Sequence, residues 1–184
     1  MDRIVRWAPY AGAGLEQARV ASRAGGTEAE GVVLGEAAGA PFALRYRLRL
    51  NPGWAAREVW LELVGEGRTL HLLHDERGGW KRMGGGPLPE LDGCLDLDIG
   101  ATPLTNTLPI RRLGLAAGES RVLRVAMVEV PSLRPIPVEQ RYTCLDGGRL
   151  FRFEALGRGF AAEIVVDDDG LVADYPPLFK RVLG

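Results

Sequence analysis

The longest run of alternating character is "FALRYRLRL", residues 42–50. Phe42, Leu44, Tyr46, Leu48 and Leu50 fall on one side of an extended chain, and Arg45, Arg47 and Arg49 fall on the other. A period of two predicts a strand of antiparallel sheet with one packed face and one wet face. "NPGW" supplies a turn, and "REVWLELVG" (57–65) and "GRTLHLLHD" (67–75) continue the pattern as a meander. Strand character recurs at 15–22, 29–37, 94–99, 120–130, 139–146, 149–156 and 160–167. "DGG" (146–148) and "DDDG" (167–170) are turn chemistry. "PPLFKRVLG" (176–184) predicts a short C-terminal helix, with proline near its first turn. About ten strands with short connections must twist and curl. The expected fold is therefore mainly β: a large, strongly curved antiparallel sheet or partly open barrel with a short C-terminal helix. Trp60 and Val64 oppose Val59, Leu61 and Leu63, so some strands are apolar on both faces. A lined concavity or a sandwich would explain this.

Length and charge narrow the picture. A chain of 184 residues is expected to form one domain, spanning 1–184. That size removes roughly 70% of the unfolded surface from water, so no metal or disulfide is needed for stability. A net charge of −1 gives no global pull toward nucleic acid. No apolar run is long enough to cross a bilayer as a helix. No signal-peptide pattern opens the chain, so a cytoplasmic location with Cys94 and Cys144 reduced is expected.

The candidate chemistry is sparse. His71 and His74 are the two histidines, and three-residue spacing on a strand points them to opposite faces. No metal site and no cofactor are expected. Asp96 and Asp98 share one strand face, placed for acid–base work or for neutralisation by Arg111 and Arg112. The glycine-rich stretch 77–89 lacks a phosphate-loop pattern and reads as a mobile loop around Trp80. No nucleophile elbow is present, and catalytic residues are not assigned. Tyr46 lies on the apolar side of its strand, away from the arginines, which argues against an RNA-binding sheet.

"ATPLTNTLPIRR" (101–112) stands apart, with two prolines, three threonines, an asparagine and two arginines. It reads equally well as a compact polar corner, with hydroxyls capping local backbone, or as a ligand-binding loop.

The chain resembles the bacterial "putative glycolipid-binding" family through "GVVLGE", "LRYRLRLNPGW", "GGW", "LDGCLDLDIGATPLTNTLPIRRLGL", "VPSLRPIPVEQRYTCLD" and "DDDGLVADYPPLF". These run in order from about residue 30 to residue 179. The resemblance implies a curved antiparallel sheet around a helix or loop, similar to bacterial lipoprotein-carrier folds. It implies a non-catalytic binding protein for a glycolipid or similar amphiphile, with the tail in the concavity. Residues matching the signature are Asp96, Asp98, Thr102, Thr105, Asn106, Arg111, Arg112, Gln140, Arg141 and Tyr142. On this reading Thr105, Asn106 and Arg112 meet a head group at the rim, and the faces near Trp60, Trp80 and Tyr142 line an acyl slot. Two alternatives stand beside it: a carbohydrate- or lipid-acting enzyme using Asp96 and Asp98, and a dimeric interaction protein without a ligand.

Overall fold

The computed structural model describes residues 1–184. The first half of the chain forms β1 (Asp2–Pro9), β2 (Leu15–Arg23), β3 (Gly26–Ala37), β4 (Ala40–Leu50), β5 (Ala56–Leu63), β6 (Arg68–His74) and β7 (Trp80–Arg82). The second half forms β8 (Asp96–Ile99), a helix α1 (Thr107–Leu113), and then β9 (Ser120–Glu129) and β10 (Arg134–Asp146). It continues through β11 (Leu150–Ala155), β12 (Phe160–Val166), β13 (Val172–Tyr175) and β14 (Phe179–Leu183).

All strands belong to one 14-stranded sheet. Its order runs from β7 back to β1, crosses to β14, and runs back to β8. Two meanders thus join where the first and last strands pair, Trp7 opposite Arg181. Every neighbour is antiparallel except β8 and β9, which run parallel, so the sheet is mixed. β7 and β8 are its two ends and do not pair. The seam between them is drawn together by loop contacts. Gly93 N–H donates to the Gly78 carbonyl at 3.0 Å, and the Trp80 indole N–H donates to the Cys94 carbonyl at 2.7 Å.

The alternation in β4 is obeyed residue by residue. Leu44, Tyr46, Leu48 and Leu50 are buried, while Arg45, Arg47 and Arg49 face water. Those arginines meet carboxylates across the outer face: Arg45 with Glu62, and Arg49 with Glu58 and Glu28. His71 and His74 do face opposite sides. His71 bonds Glu58 at 2.7 Å on the outer face, whereas His74 is buried and stacks on Trp80.

β3 explains "GVVLGE". Gly31 sits opposite Tyr46 and Gly35 opposite Phe42 on the concave side. A Cβ at Gly31 would stand 2.4 Å from the Tyr46 ring, and one at Gly35 would stand 2.6 Å from the Phe42 ring. The glycines let both rings lie flat across the strand. Gly31→Ala is expected to cost roughly 1–3 kcal/mol through forced overpacking. Urea denaturation checks this, and an unchanged midpoint would mean that Tyr46 moves aside freely.

Two expectations are corrected. The C-terminal segment is not a helix but β14, paired with β1 and β13, because ladder bonds to two neighbours outweigh its local preference. The stretch around Trp80 is not a loose loop. Trp80 opens β7, is buried, and is fixed by its indole bond and its stack on His74.

The concave side holds the 101–113 segment. A 3-10 turn, Pro103–Asn106, runs directly into α1. Pro103 occupies a first-turn position of the former and Pro109 a first-turn position of the latter, where a missing N–H costs nothing. Gly114, at φ 53°, closes the helix with Arg111 and Arg112 in its last turn. Leu104 and Leu108 enter a core cluster of 29 residues drawn largely from β1 to β9. Ile110 enters a second cluster of ten with Tyr142, Phe151, Phe153 and Tyr175. Arg111 lies over the Trp54 ring at 5.0 Å and bonds the Asp169 carbonyl at 3.2 Å. One short helix therefore touches both halves of the sheet, which is possible only because the sheet wraps around it.

Candidate functional site

The uncharged polar side chains of this plug are enclosed, not displayed. Thr102, Thr105, Asn106 and Thr107 are all buried. Thr102 caps the 3-10 turn, its hydroxyl oxygen accepting from Leu104 N–H at 3.0 Å. The same hydroxyl donates to Glu16 Oε1 at 2.7 Å. Glu16 reaches it from β2, and Tyr46 Oη donates to that same oxygen at 2.6 Å.

A second cluster lies on the other side of the turn. Thr105 Oγ1 accepts from Ile99 N–H and donates to Asp98 Oδ1 at 3.1 Å. Gln140 Nε2 donates to Asp98 Oδ2 at 2.7 Å, and Asn106 Nδ2 donates to Tyr142 Oη at 2.9 Å. Asp96 belongs to neither cluster. It is 1% exposed and held in a two-bond fork by Arg112, Nε to Oδ1 at 2.9 Å and Nη2 to Oδ2 at 2.6 Å.

Burial governs the electrostatics. It pushes Glu16 up to about 7, against the two hydroxyl donors that favour the ionised form. Burial also raises Asp98, opposed by Gln140, Thr105 and the charge of Arg158. Tyr46 rises as well, from burial and from the Glu16 carboxylate beside it. No set of three or more His, Cys, Asp or Glu side chains converges as metal ligands would.

Two clefts open over these clusters. The larger, about 420 Å³, has Glu16 among its lining residues, with Trp7, Val33, Phe42, Ala101 and Phe179 around it. Leu15, Leu34 and Leu178 also line it and are exposed, Leu34 to 55%, so its mouth is apolar. The smaller, about 210 Å³, has Asp98, Thr102, Asn106 and Gln140 in its lining, with Phe153, Phe160, Tyr175 and Phe179. Both share Gly100, Leu178 and Phe179. They form adjoining amphipathic clefts, and the larger lies within the ~300–1,000 Å³ typical of small-molecule sites. A wider depression of about 620 Å³ lies on the outer face, lined by Arg23, Glu28, Arg49, Arg57 and Glu58 among small and apolar residues, without the aromatic walls of the paired clefts.

The residues singled out from sequence thus separate. Asp98, Thr102, Asn106 and Gln140 line the smaller cleft, while Thr105 and Tyr142 support them from behind. Arg112 and Asp96 form an internal clasp, and Arg111 ties the plug to both halves of the sheet. Arg141 pairs with Glu154 away from either cleft, and Trp80 is core near the seam. Trp60 lies on the outer face among Arg45, Arg47 and Arg49, so it lines no concave slot. Thr105 and Asn106 sit at an enclosed floor, not at a rim. Asp96 is occupied by Arg112, so the arrangement does not favour an Asp96–Asp98 acid–base pair.

The alternation alone does not single out Glu16. Its signal is a carboxylate in the buried phase of "LEQARVAS", where Ala18 and Val20 follow it inward. Tyr46, Phe42 and Phe179 carry no mark beyond being apolar-face aromatics.

Comparison with known proteins agrees with this architecture. No curated protein matches the chain. A crystal structure of a DUF1089 family protein from Pseudomonas aeruginosa is similar at 42% identity, covering 91% of this chain and 92% of that one, with a TM-score of 0.79. No helix is long and apolar enough to cross a membrane. A family model described as "Putative glycolipid-binding" matches residues 4–181, nearly the whole sheet and the plug within it, and the chain belongs to that family.

Proposed function

We propose that the protein binds a glycolipid or a similar amphiphile in the paired concave clefts. The observation that carries this reading is the layering of the larger cleft: a buried carboxyl at the floor, aromatic and aliphatic walls, and exposed leucines at the mouth. The polar end of the ligand points inward to the Glu16 and Thr102 side of the plug. The apolar chain lies along Phe42 and Phe179 and leaves past Leu15, Leu34 and Leu178. Each methylene so covered adds about 0.8 kcal/mol. The family description points to the same ligand class. The role is binding rather than catalysis, since Asp96 is clasped by Arg112 and both oxygens of Asp98 are already bonded.

The test is calorimetric titration with a dodecyl glucoside below its micellar concentration. Saturable one-to-one binding is expected. Leu178→Asp places a charge where both clefts meet and should weaken binding about tenfold or more, from lost apolar cover. The side chain of Leu178 is partly exposed, so the melting temperature should hardly change. Failure of the parent protein to bind, or a Leu178→Asp variant with undiminished affinity, rejects the cleft as the site.

A further inference from the structure

Two buried side-chain polar atoms have no hydrogen-bond partner, Glu16 Oε2 and Thr107 Oγ1. Of the two residues, only Glu16 lines one of the paired clefts. Glu16 is 3% exposed, so bulk water does not reach it freely. Its other oxygen is saturated. Tyr46 Oη and Thr102 Oγ1 both donate to Oε1, one from the sheet and one from the plug. This grip fixes the plane of the carboxyl group and leaves Oε2 as its one unpartnered position, itself closed to solvent. Natural interiors rarely leave such an oxygen unpaired. A buried carboxyl that is locked on one side and unpartnered on the other, in a residue that lines a cleft, is a receptor for an external group once the side chains over it give way.

Resting on the cleft reading above, we propose that Glu16 Oε2 is the head-group anchor of the site and takes a hydroxyl of a neutral polyol. The chemistry selects this class. A hydroxyl both donates and accepts, so it satisfies Oε2 whether the carboxyl is ionised or protonated. A phosphate or carboxylate head group would bring negative charge against Glu16, and no cationic side chain lines the larger cleft to offset it. A quaternary ammonium has no donor to offer. The sugar of a glycolipid and the glycerol of a monoacylglycerol share the required hydroxyl.

The experiment compares three ligands with one twelve-carbon chain: dodecyl glucoside, monolauroylglycerol and dodecylphosphocholine, each titrated below its micellar concentration. The parent protein is expected to bind at least one of the two polyol ligands tenfold or more tightly than the phosphocholine. Their ratio to each other reports whether sugar or glycerol is preferred. Glu16→Leu should erase the advantage over phosphocholine, lowering polyol affinity tenfold or more without lowering phosphocholine affinity. Glu16→Gln keeps an acceptor for Tyr46 and Thr102 and places a donor where Oε2 stood, so it should retain polyol affinity within a few-fold. Equal binding of all three ligands by the parent protein overturns the anchor and leaves the cleft standing. So does an undiminished preference in Glu16→Leu. Absence of binding by any of them overturns both. Should Glu16→Leu not fold, the head-group ratio in the parent protein decides alone.

Discussion

Arg112→Met destabilises the protein by about 3 kcal/mol at neutral pH, toward the low end of the ~3–5 kcal/mol seen when one partner of a buried pair is removed. Asp96 is 1% exposed and accepts its two side-chain hydrogen bonds from Arg112. Loss of the guanidinium strands a carboxylate in the interior beside the helix it was holding. The low end applies because the Arg112 side chain keeps 21% of its surface in water, which softens the change. Against a typical total stability of roughly 5–15 kcal/mol this is a large fraction. The double variant Asp96→Leu with Arg112→Met should recover most of the loss, since neither charge then remains buried alone. Urea denaturation of the parent protein, both single variants and the double variant measures the coupling. A single Arg112→Met variant within about 0.5 kcal/mol of the parent would show that the clasp is not what holds the plug.

Glu16→Gln should have the opposite effect, and its size should depend on pH. The folded chain holds the Glu16 proton up to about 7, from an ordinary value of 4.5. Below 4.5 the folded and unfolded chains are both protonated there, and the stability is fully present. Between the two values the unfolded chain has released a proton that the folded chain keeps, so stability falls as pH rises. Above about 7 both are ionised and the penalty stays constant. Asp98, also raised by burial, contributes in the same direction. The lowered carboxyls Asp2, Glu58, Asp75 and Glu76 act in the opposite sense at more acidic pH. All of these cancel when parent and variant are compared at each pH. Glutamine never ionises, so the variant should gain on the parent by on the order of 3 kcal/mol between pH 4.5 and pH 8.5. For a chain of this size that is a widening of roughly 6–12 °C in melting temperature. A difference that stays flat across this range would place the Glu16 titration near that of an exposed glutamate. A residue whose replacement stabilises the fold at neutral pH is kept at a cost, as binding residues commonly are.

Much of this molecule can be read along the chain. Period-two alternation in β4, β5, β6 and β9 to β12 reports strands because successive side chains must take opposite sides. The arginines of β4 face water and meet glutamates across the ladder for the same reason. Asp96 and Asp98 turn toward the plug together, as their spacing requires. The family signature also carried the expectation of a sheet around a helix or loop. Local patterning, however, says only which side of a strand a residue occupies. It does not say what stands opposite. "TNTLPIRR" is polar by composition, so nothing local marks it as interior; it becomes so because the sheet wraps around it and supplies Glu16, Asp98, Gln140 and Tyr142 as partners. β14 reads as helical until β1 and β13 flank it with open ladder positions. Two strands further apart than any others in sequence pair at the centre of the sheet, which no window of the chain can reveal. Glu16 and Thr102 lie 86 residues apart, and only closure of the fold brings the Thr102 hydroxyl to the Glu16 carboxyl. The sequence by itself determined most of the strands, their inner and outer faces and the charges that cover them, since these follow from backbone geometry within a few residues. The tertiary structure decided which polar groups are buried together and where the clefts remain, because both depend on desolvation and packing between segments far apart along the chain.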